Sequence, residues 1–108
     1  MCKASYLPIS RRDLQSITSY ISDTLNAPNA ASDFVDALDE SVTLLEQFPY
    51  AYRIYQSTEV LEHEYRLFFV KNYAVLIFYV VDAERRSVEI HRVIYARRNL
   101  AQALMSNN

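Results

Sequence analysis

The 108-residue sequence contains no glycine. Glycine is the residue that reaches positive φ freely and lets the backbone approach a ligand without a Cβ in the way. A phosphate-binding loop, a dinucleotide-binding fingerprint and the nucleophile elbow of the α/β-hydrolases all depend on it. The sequence therefore argues against these sites in their usual form, and we expect no cofactor.

Composition limits the chain further. Its length suits one domain, residues 1–108, and 51% of the residues are hydrophobic, as in folded globular domains. The single cysteine, Cys2, cannot form an internal disulfide, which fits a reducing cytoplasm. The longest apolar run, Tyr73 to Val81, is far shorter than the ~20 residues of a membrane-spanning helix. The N-terminus does not resemble a signal peptide, so we expect a cytoplasmic protein without a membrane partner.

The net charge of −2 is unevenly distributed. The first 50 residues carry three basic and seven acidic side chains, and the rest carry eight basic and six acidic. After Glu89 the charged side chains are Arg92, Arg97 and Arg98, all positive. The C-terminal end is therefore a candidate anion-binding region, with a solvated charged end as the alternative.

Hydrophobic periodicity predicts one short strand and two helices in the first half of the chain. The strand is expected at residues 6–10. Ser10 and Asp13 resemble a capping box, so the first helix is predicted to begin near Arg11. A second amphipathic helix is predicted from about residue 29 to residue 47, where Phe48-Pro49 ends it. The two helices should pair with each other.

Three strands are predicted in the second half, at residues 62–70, 73–81 and 87–95. Lys71-Asn72 is expected to form a tight hairpin, and residues 100–105 a short terminal helix. The fold class is therefore α+β, in the order β-α-α-β-β-β. Two antiparallel helices should pack on one face of a small antiparallel sheet and leave the other face partly open.

Between the helices and the strands, Tyr50, Tyr52 and Tyr55 surround Arg53 in a segment without clear periodicity. We interpret it as a loop that packs its rings on the sheet edge. A base-stacking role is the alternative.

The two histidines, His63 and His91, do not indicate a metal site, since the chain has no paired cysteines and zinc needs more ligands. Neighbouring residues of Glu62-His63-Glu64 point to opposite faces of a strand. On the last strand, alternation places His91 and Tyr95 on one side and Arg92 on the other.

The arginines are the stronger candidates for a site. Arg66 lies in the first strand of the predicted meander, Arg92 in the last, and Arg97 and Arg98 directly after it. Arg66 and residues of the last strand are predicted to converge across the open face and to hold a phosphate through forked guanidinium contacts. Alternatively, these arginines pair with the acidic helix face or with an acidic partner.

From Tyr65 to Leu100 the sequence resembles the RelE/ParE toxins of bacterial type II toxin–antitoxin systems. The shared pattern is an arginine-containing strand, the Asn72-Tyr73 hairpin, an apolar strand with a tyrosine near its end, and a last strand that finishes in Arg92-Val93-Ile94-Tyr95-Ala96-Arg97-Arg98. The resemblance implies a cognate antitoxin that wraps around the toxin. It also implies contact with operator DNA only through that antitoxin.

Toxins of this kind fall into two branches. One cuts messenger RNA on the ribosome without a metal, and the other inhibits DNA gyrase without being a nuclease. RNA cleavage by attack of the 2′-hydroxyl needs a base, an acid and cations around one phosphate. The resemblance assigns the cationic role to Arg66, Arg97 and Arg98, and proton transfer to His91 or Tyr95.

Three positions depart from the cutting branch. Ala74 stands where an arginine is frequent, Tyr95 where a histidine is frequent, and Asn99 where an aspartate is usual. Ala74 favours gyrase inhibition, whereas the arginine cluster with Tyr95 favours RNA cleavage. We expect growth inhibition by ribosome-dependent messenger RNA cleavage, with non-enzymatic gyrase inhibition or a catalytically silent antitoxin-binding module as alternatives.

Overall fold

The computed structural model describes residues 2–70 and 73–95, with the backbone alone described at Tyr95. The elements are β1 (Lys3–Tyr6), α1 (Pro8–Ser19), a π-helical turn (Tyr20–Thr24), α2 (Pro28–Gln47), β2 (Arg66–Phe69), β3 (Val75–Asp82) and β4 (Ser87–Tyr95). The predicted α+β class and the predicted order of elements are confirmed. Among the described residues, neither helix is long and apolar enough to cross a bilayer.

The four strands form one sheet in the order β1-β4-β3-β2. The β2–β3 and β3–β4 pairs are antiparallel, but β1 runs parallel to β4, with Lys3 opposite Ser87 and Tyr6 opposite Ile90. The prediction of a purely antiparallel sheet was therefore wrong at β1. A parallel neighbour needs a crossover connection, and the long segment that contains both helices carries the chain across the sheet face before the meander begins.

Helix α1 begins three residues earlier than predicted. Pro8 occupies its first turn, where a fixed φ suits the helix and a missing N–H does no harm. The predicted capping box is wrong, because Leu7 is the N-cap and the Ser10 hydroxyl donates to the Leu7 carbonyl at 2.7 Å. The Asp13 carboxylate is thereby left to contact β4.

The main core lies between the helices and the sheet. Phe34 of α2 is fully buried, and its ring meets the ring of Tyr73 edge-on at 5.1 Å. The other buried members come from both helices and the π-helical turn, from β2 and the residue after it, and from β3 and β4: Ile17, Ile21, Ala31, Leu38, Leu45, Phe68, Val70, Val75, Ile77, Tyr79, Val88, Ile90 and Val93. This layer confirms that both helices bury their apolar stripes on one sheet face.

The opposite sheet face, called here the outer face, carries a smaller apolar cluster of Tyr65, Leu67, Leu76, Phe78 and Ile94. Tyr55 and Leu61 of the preceding loop pack against this cluster, so the loop covers part of the face.

The meander matches the predicted strands unequally. β4 has the predicted bounds, and β3 begins two residues later and ends one residue later than predicted. β2 is shorter than predicted because its N-terminal side pairs with the loop instead: the Tyr55 N–H donates to the Tyr65 carbonyl at 2.7 Å, and Ile54 bridges Arg66. The predicted Lys71-Asn72 hairpin and the terminal helix at 100–105 lie outside the described residues.

Candidate functional site

A β-bulge in β4 determines which of its side chains meet. Phe78 of β3 lies opposite Arg92, but the next residue, Tyr79, lies opposite Ile90. His91 is therefore the extra residue of β4. A bulge bends the strand and re-aims its side chains.

The bulge also changes the alternation of faces along β4. Ile90 faces the helices before it, and Val93, three residues on, faces them after it. Counting by two from His91 therefore does not determine the side on which Tyr95 lies, and its placement beside His91 stays a prediction. The side chain of Tyr95 lies outside the described part of the chain.

On the outer face, His91 joins a polar network. Its Nδ1 lies 3.3 Å from the Tyr65 hydroxyl, and its Nε2 lies 3.3 Å from Oε1 of Glu89. The ring of His63 approaches the His91 ring, with 5.1 Å between the centroids. A carboxylate can only accept, so in the neutral ring Nε2–H donates to Glu89 while Nδ1 accepts from the hydroxyl of Tyr65.

Burial favours the neutral forms of His91 and Tyr65 in this network. Burial lowers the pKa of His91 below its usual value, and the hydrogen bond that His91 donates to Glu89 opposes that effect without reversing it. Burial also raises the pKa of Tyr65, whose residue is only 4% exposed. A neutral imidazole held between a donor and a carboxylate can act chemically as a base.

Arg66 lies on the other side of the sheet. It pairs with Tyr79, whose ring belongs to the helix-side core, whereas its neighbour Tyr65 points to the outer face. Its Nη1 donates to the Tyr52 carbonyl at 2.7 Å, and its guanidinium lies 5.1 Å from the centre of the Tyr50 ring. The prediction that Arg66 converges with the last strand on the open face was therefore wrong. Arg66 instead anchors the loop that contains Tyr50 and Tyr52.

Arg92 is paired with α1. Its Nε donates to Oδ2 of Asp13 at 2.7 Å and its Nη2 to Oδ1 at 3.0 Å. The two side chains are 9% and 14% exposed. Arg92 is therefore paired with an acidic residue of α1, not with the acidic face of α2. The sequence holds a signal for this contact, because Asp13 stands one helical turn before the buried Ile17 and so borders the buried stripe.

Residues 5–100 of the sequence match the ParE toxin family of type II toxin–antitoxin systems, parDE. The chain belongs to this family.

A chain from a solved structure titled "Chromosomal ParDE TA system from P. aeruginosa" is similar in fold to this ParE-family toxin, with a TM-score of 0.71 at 18% sequence identity. The alignment covers 90% of the present chain and 98% of that chain. A search of curated proteins gives no match.

In this ParE-family chain, the predicted site residues that the structure describes do not lie together. Arg66 and His91 lie on opposite faces of the sheet, and Arg97 and Arg98 lie outside the described residues. The structure instead brings His91 together with Tyr65 and Glu89, which the sequence did not single out. The contact between Glu89 and His91 agrees with alternation, because residues two apart on a strand share a face. Nothing local in the sequence marks the contact between Tyr65 and His91, because β3 lies between the two segments. Among residues 2–70 and 73–95, no group of three histidine, cysteine or acidic side chains is arranged to hold a metal ion.

Proposed function

We propose that this ParE-family toxin arrests growth in the cytoplasm by binding DNA gyrase, without cutting nucleic acid. The proposal rests on one observation above all: the cation Arg66 and the base His91 lie on opposite faces of the sheet.

Cleavage of RNA through its 2′-hydroxyl requires base, acid and cations within hydrogen-bond reach of one phosphate. Arg66 is held by the Tyr52 carbonyl and the Tyr50 ring, and Arg92 is bound by Asp13. Neither guanidinium is free to reach a phosphate beside His91 without first breaking these contacts. The arrangement of the described residues therefore supports binding better than phosphate chemistry.

In this proposal the target contacts come from Arg97 and Arg98, directly after β4. Two adjacent guanidinium groups that follow a rigid strand are suited to forked contacts with carboxylates of a partner protein. The cognate antitoxin is proposed to cover the same end of the molecule and to be the only route by which the toxin contacts operator DNA.

Expression in cells tests the proposal. After induction, we expect reporter plasmids to lose negative supercoils before growth stops, while the 5′ ends of messenger RNAs stay unchanged. The Arg97→Ala/Arg98→Ala variant should lose this effect. The matched control is Arg85→Ala/Arg86→Ala, which removes the same charge from the exposed turn between β3 and β4. Normal plasmid supercoiling in arrested cells would overturn the proposal.

Ribosome-dependent messenger RNA cleavage is the second candidate, and the His91 network favours it. A neutral histidine between Tyr65 and Glu89 has the base-and-orienter arrangement that proton transfer uses. If this candidate is correct, the purified toxin cuts message in a translation extract and His91→Asn abolishes the cutting. New 5′ ends together with unchanged plasmid supercoiling would replace the first proposal with this one.

A further inference from the structure

The edge of β4 that faces β1 changes its hydrogen-bond partner part-way along the strand. β1 pairs with β4 only as far as Ile90, and the last backbone bond on that side runs from the Leu7 N–H to the Ile90 carbonyl at 3.0 Å. The chain then turns into α1 at Pro8. From His91 onward, β4 has no strand neighbour on this edge among the described residues.

The carboxylate of Asp13 takes the place of the missing strand. Its Oδ2 accepts from the Val93 N–H at 3.0 Å and from Nε of Arg92 at 2.7 Å, while Oδ1 accepts from Nη2 of Arg92 at 3.0 Å. A backbone N–H that loses its partner in a buried place is strongly unfavourable, so this carboxylate completes the edge. Because the contact spans 80 positions in the sequence, it ties α1 directly to the end of β4.

The contact lies next to the bulge of β4, two residues after His91. His91 is the inserted residue, and a bulge increases the twist of the strand and bends it. Charge-assisted bonds to a nearly buried carboxylate hold one bend among those that the bulge allows. Arg97 and Arg98 follow Val93 by only four and five residues, which is at most about 17 Å of chain. A change in the direction of β4 at Val93 therefore changes the direction of the last residues of the strand, from which the sequence continues to these two arginines.

We propose that Asp13 is a positioning residue for the target-binding end of the toxin: it fixes the direction in which the chain leaves β4 towards Arg97 and Arg98. This inference rests on the proposed function, since it takes those arginines as the target contacts. It assigns to α1 a role in toxicity that its sequence does not display.

The experiment compares three variants of the full chain at a temperature where circular dichroism shows each to be folded. Asp13→Asn is nearly isosteric but removes the negative charge and one of the two acceptor oxygens. Arg92→Lys keeps the carboxylate, the Val93 contact and an ion pair. Asp33→Asn, on the exposed face of α2, is the matched control for charge.

Growth-arrest dose and inhibition of gyrase supercoiling are measured for each variant. We expect Asp13→Asn to lose at least about tenfold in potency and Asp33→Asn to stay within about threefold of the wild type; Arg92→Lys, which loses the forked pair but keeps the carboxylate at Val93, should lose less than Asp13→Asn. Hydrogen exchange should accelerate at Val93 and Ile94 in Asp13→Asn but not at Ile77 in β3. A general loss of structure would accelerate exchange at all three amides, so this pattern separates positioning from folding.

If Asp13→Asn does not fold, the double variant Asp13→Leu/Arg92→Met tests the role of Asp13 in its place. Replacing a buried ion pair by apolar residues of similar size is frequently neutral or stabilising, so this variant should fold. We expect this variant to be folded and at least about tenfold less potent. A folded variant lacking the Asp13 carboxylate with wild-type potency would overturn the proposal. If wild-type toxin leaves gyrase unaffected, the proposed function fails, and the growth-arrest doses still show whether Asp13 positions the toxic end.

Discussion

Replacement of Arg66 by alanine separates a structural role from a role at the target. The guanidinium makes one charged hydrogen bond, to the Tyr52 carbonyl at 2.7 Å, and one cation–π contact, to the Tyr50 ring at 5.1 Å. A hydrogen bond to a charged group contributes about 1.5–3 kcal/mol, and a cation–π contact at an exposed ring about 0.5–1 kcal/mol. We therefore expect Arg66→Ala to lower the free energy of unfolding by about 2–3 kcal/mol, since Arg66 is only half-buried and such terms add incompletely.

Thermal and urea denaturation followed by circular dichroism measure this loss. For a domain of this size, 2–3 kcal/mol corresponds to a fall in Tm of roughly 8–15 °C. Arg53→Ala is the matched control, because Arg53 is exposed in the same loop and its replacement should change stability by less than about 0.5 kcal/mol. A double-mutant cycle with Tyr50→Leu should recover a coupling of about 0.5–1 kcal/mol for the stacked pair.

The same variant also tests the function of Arg66. If Arg66 only anchors the loop, Arg66→Ala toxin held below its melting temperature should inhibit its target as well as the wild type does. A variant that melts within about 2 °C of the wild type yet no longer arrests growth would refute the reasoning. Arg66 would then contact the target or a phosphate directly.

Three further predictions concern the stability of the fold. Asp13→Ala leaves the guanidinium of Arg92 buried without its carboxylate and should lower the free energy of unfolding by about 3–5 kcal/mol; a loss below about 1 kcal/mol in urea denaturation would contradict this. Tyr79→Phe removes the bond from the tyrosine hydroxyl to the Pro49 carbonyl at 2.8 Å and should cost about 1 kcal/mol, with an unchanged denaturation midpoint arguing against that bond. Because burial lowers the folded-state pKa of His91 below the unfolded value of about 6.5, the unfolded chain binds this proton more readily; its contribution to stability is fully present above pH 6.5 and is lost as the pH falls towards the folded pKa. Urea denaturation from pH 8 to 5 should show this decline in the wild type and a smaller one in His91→Asn, and equal declines would show that His91 is not responsible.

Much of the fold could be predicted because its signals are local. The bounds of β4 follow from the polar segments on either side of it, and α2 ends at the predicted residue because Phe48-Pro49 cannot continue a helix. The class and the order of elements follow from the same patterns. The parallel orientation of β1 does not, because it depends on where the crossover returns the chain rather than on any property of residues 3–6.

The site was harder to predict than the fold, for two physical reasons. One inserted residue, His91, shifts the alternation of β4, so Val93 faces the helices and Ile94 the outer face, opposite to what counting by two from Ile90 gives. Asp13 has two plausible partners in the sequence, a local one in the first turn of α1 and a distant one in β4. The distant contact offers a guanidinium and a backbone N–H together, and it is the one that forms.

The central claim is that this ParE-family toxin acts on DNA gyrase by binding. Titration of the purified toxin into a supercoiling reaction with purified gyrase and relaxed plasmid tests it most directly. The claim predicts that supercoiling decreases in proportion to the toxin added, and that it recovers when the cognate antitoxin is added in equal amount. Complete supercoiling at toxin concentrations that arrest growing cells would contradict it.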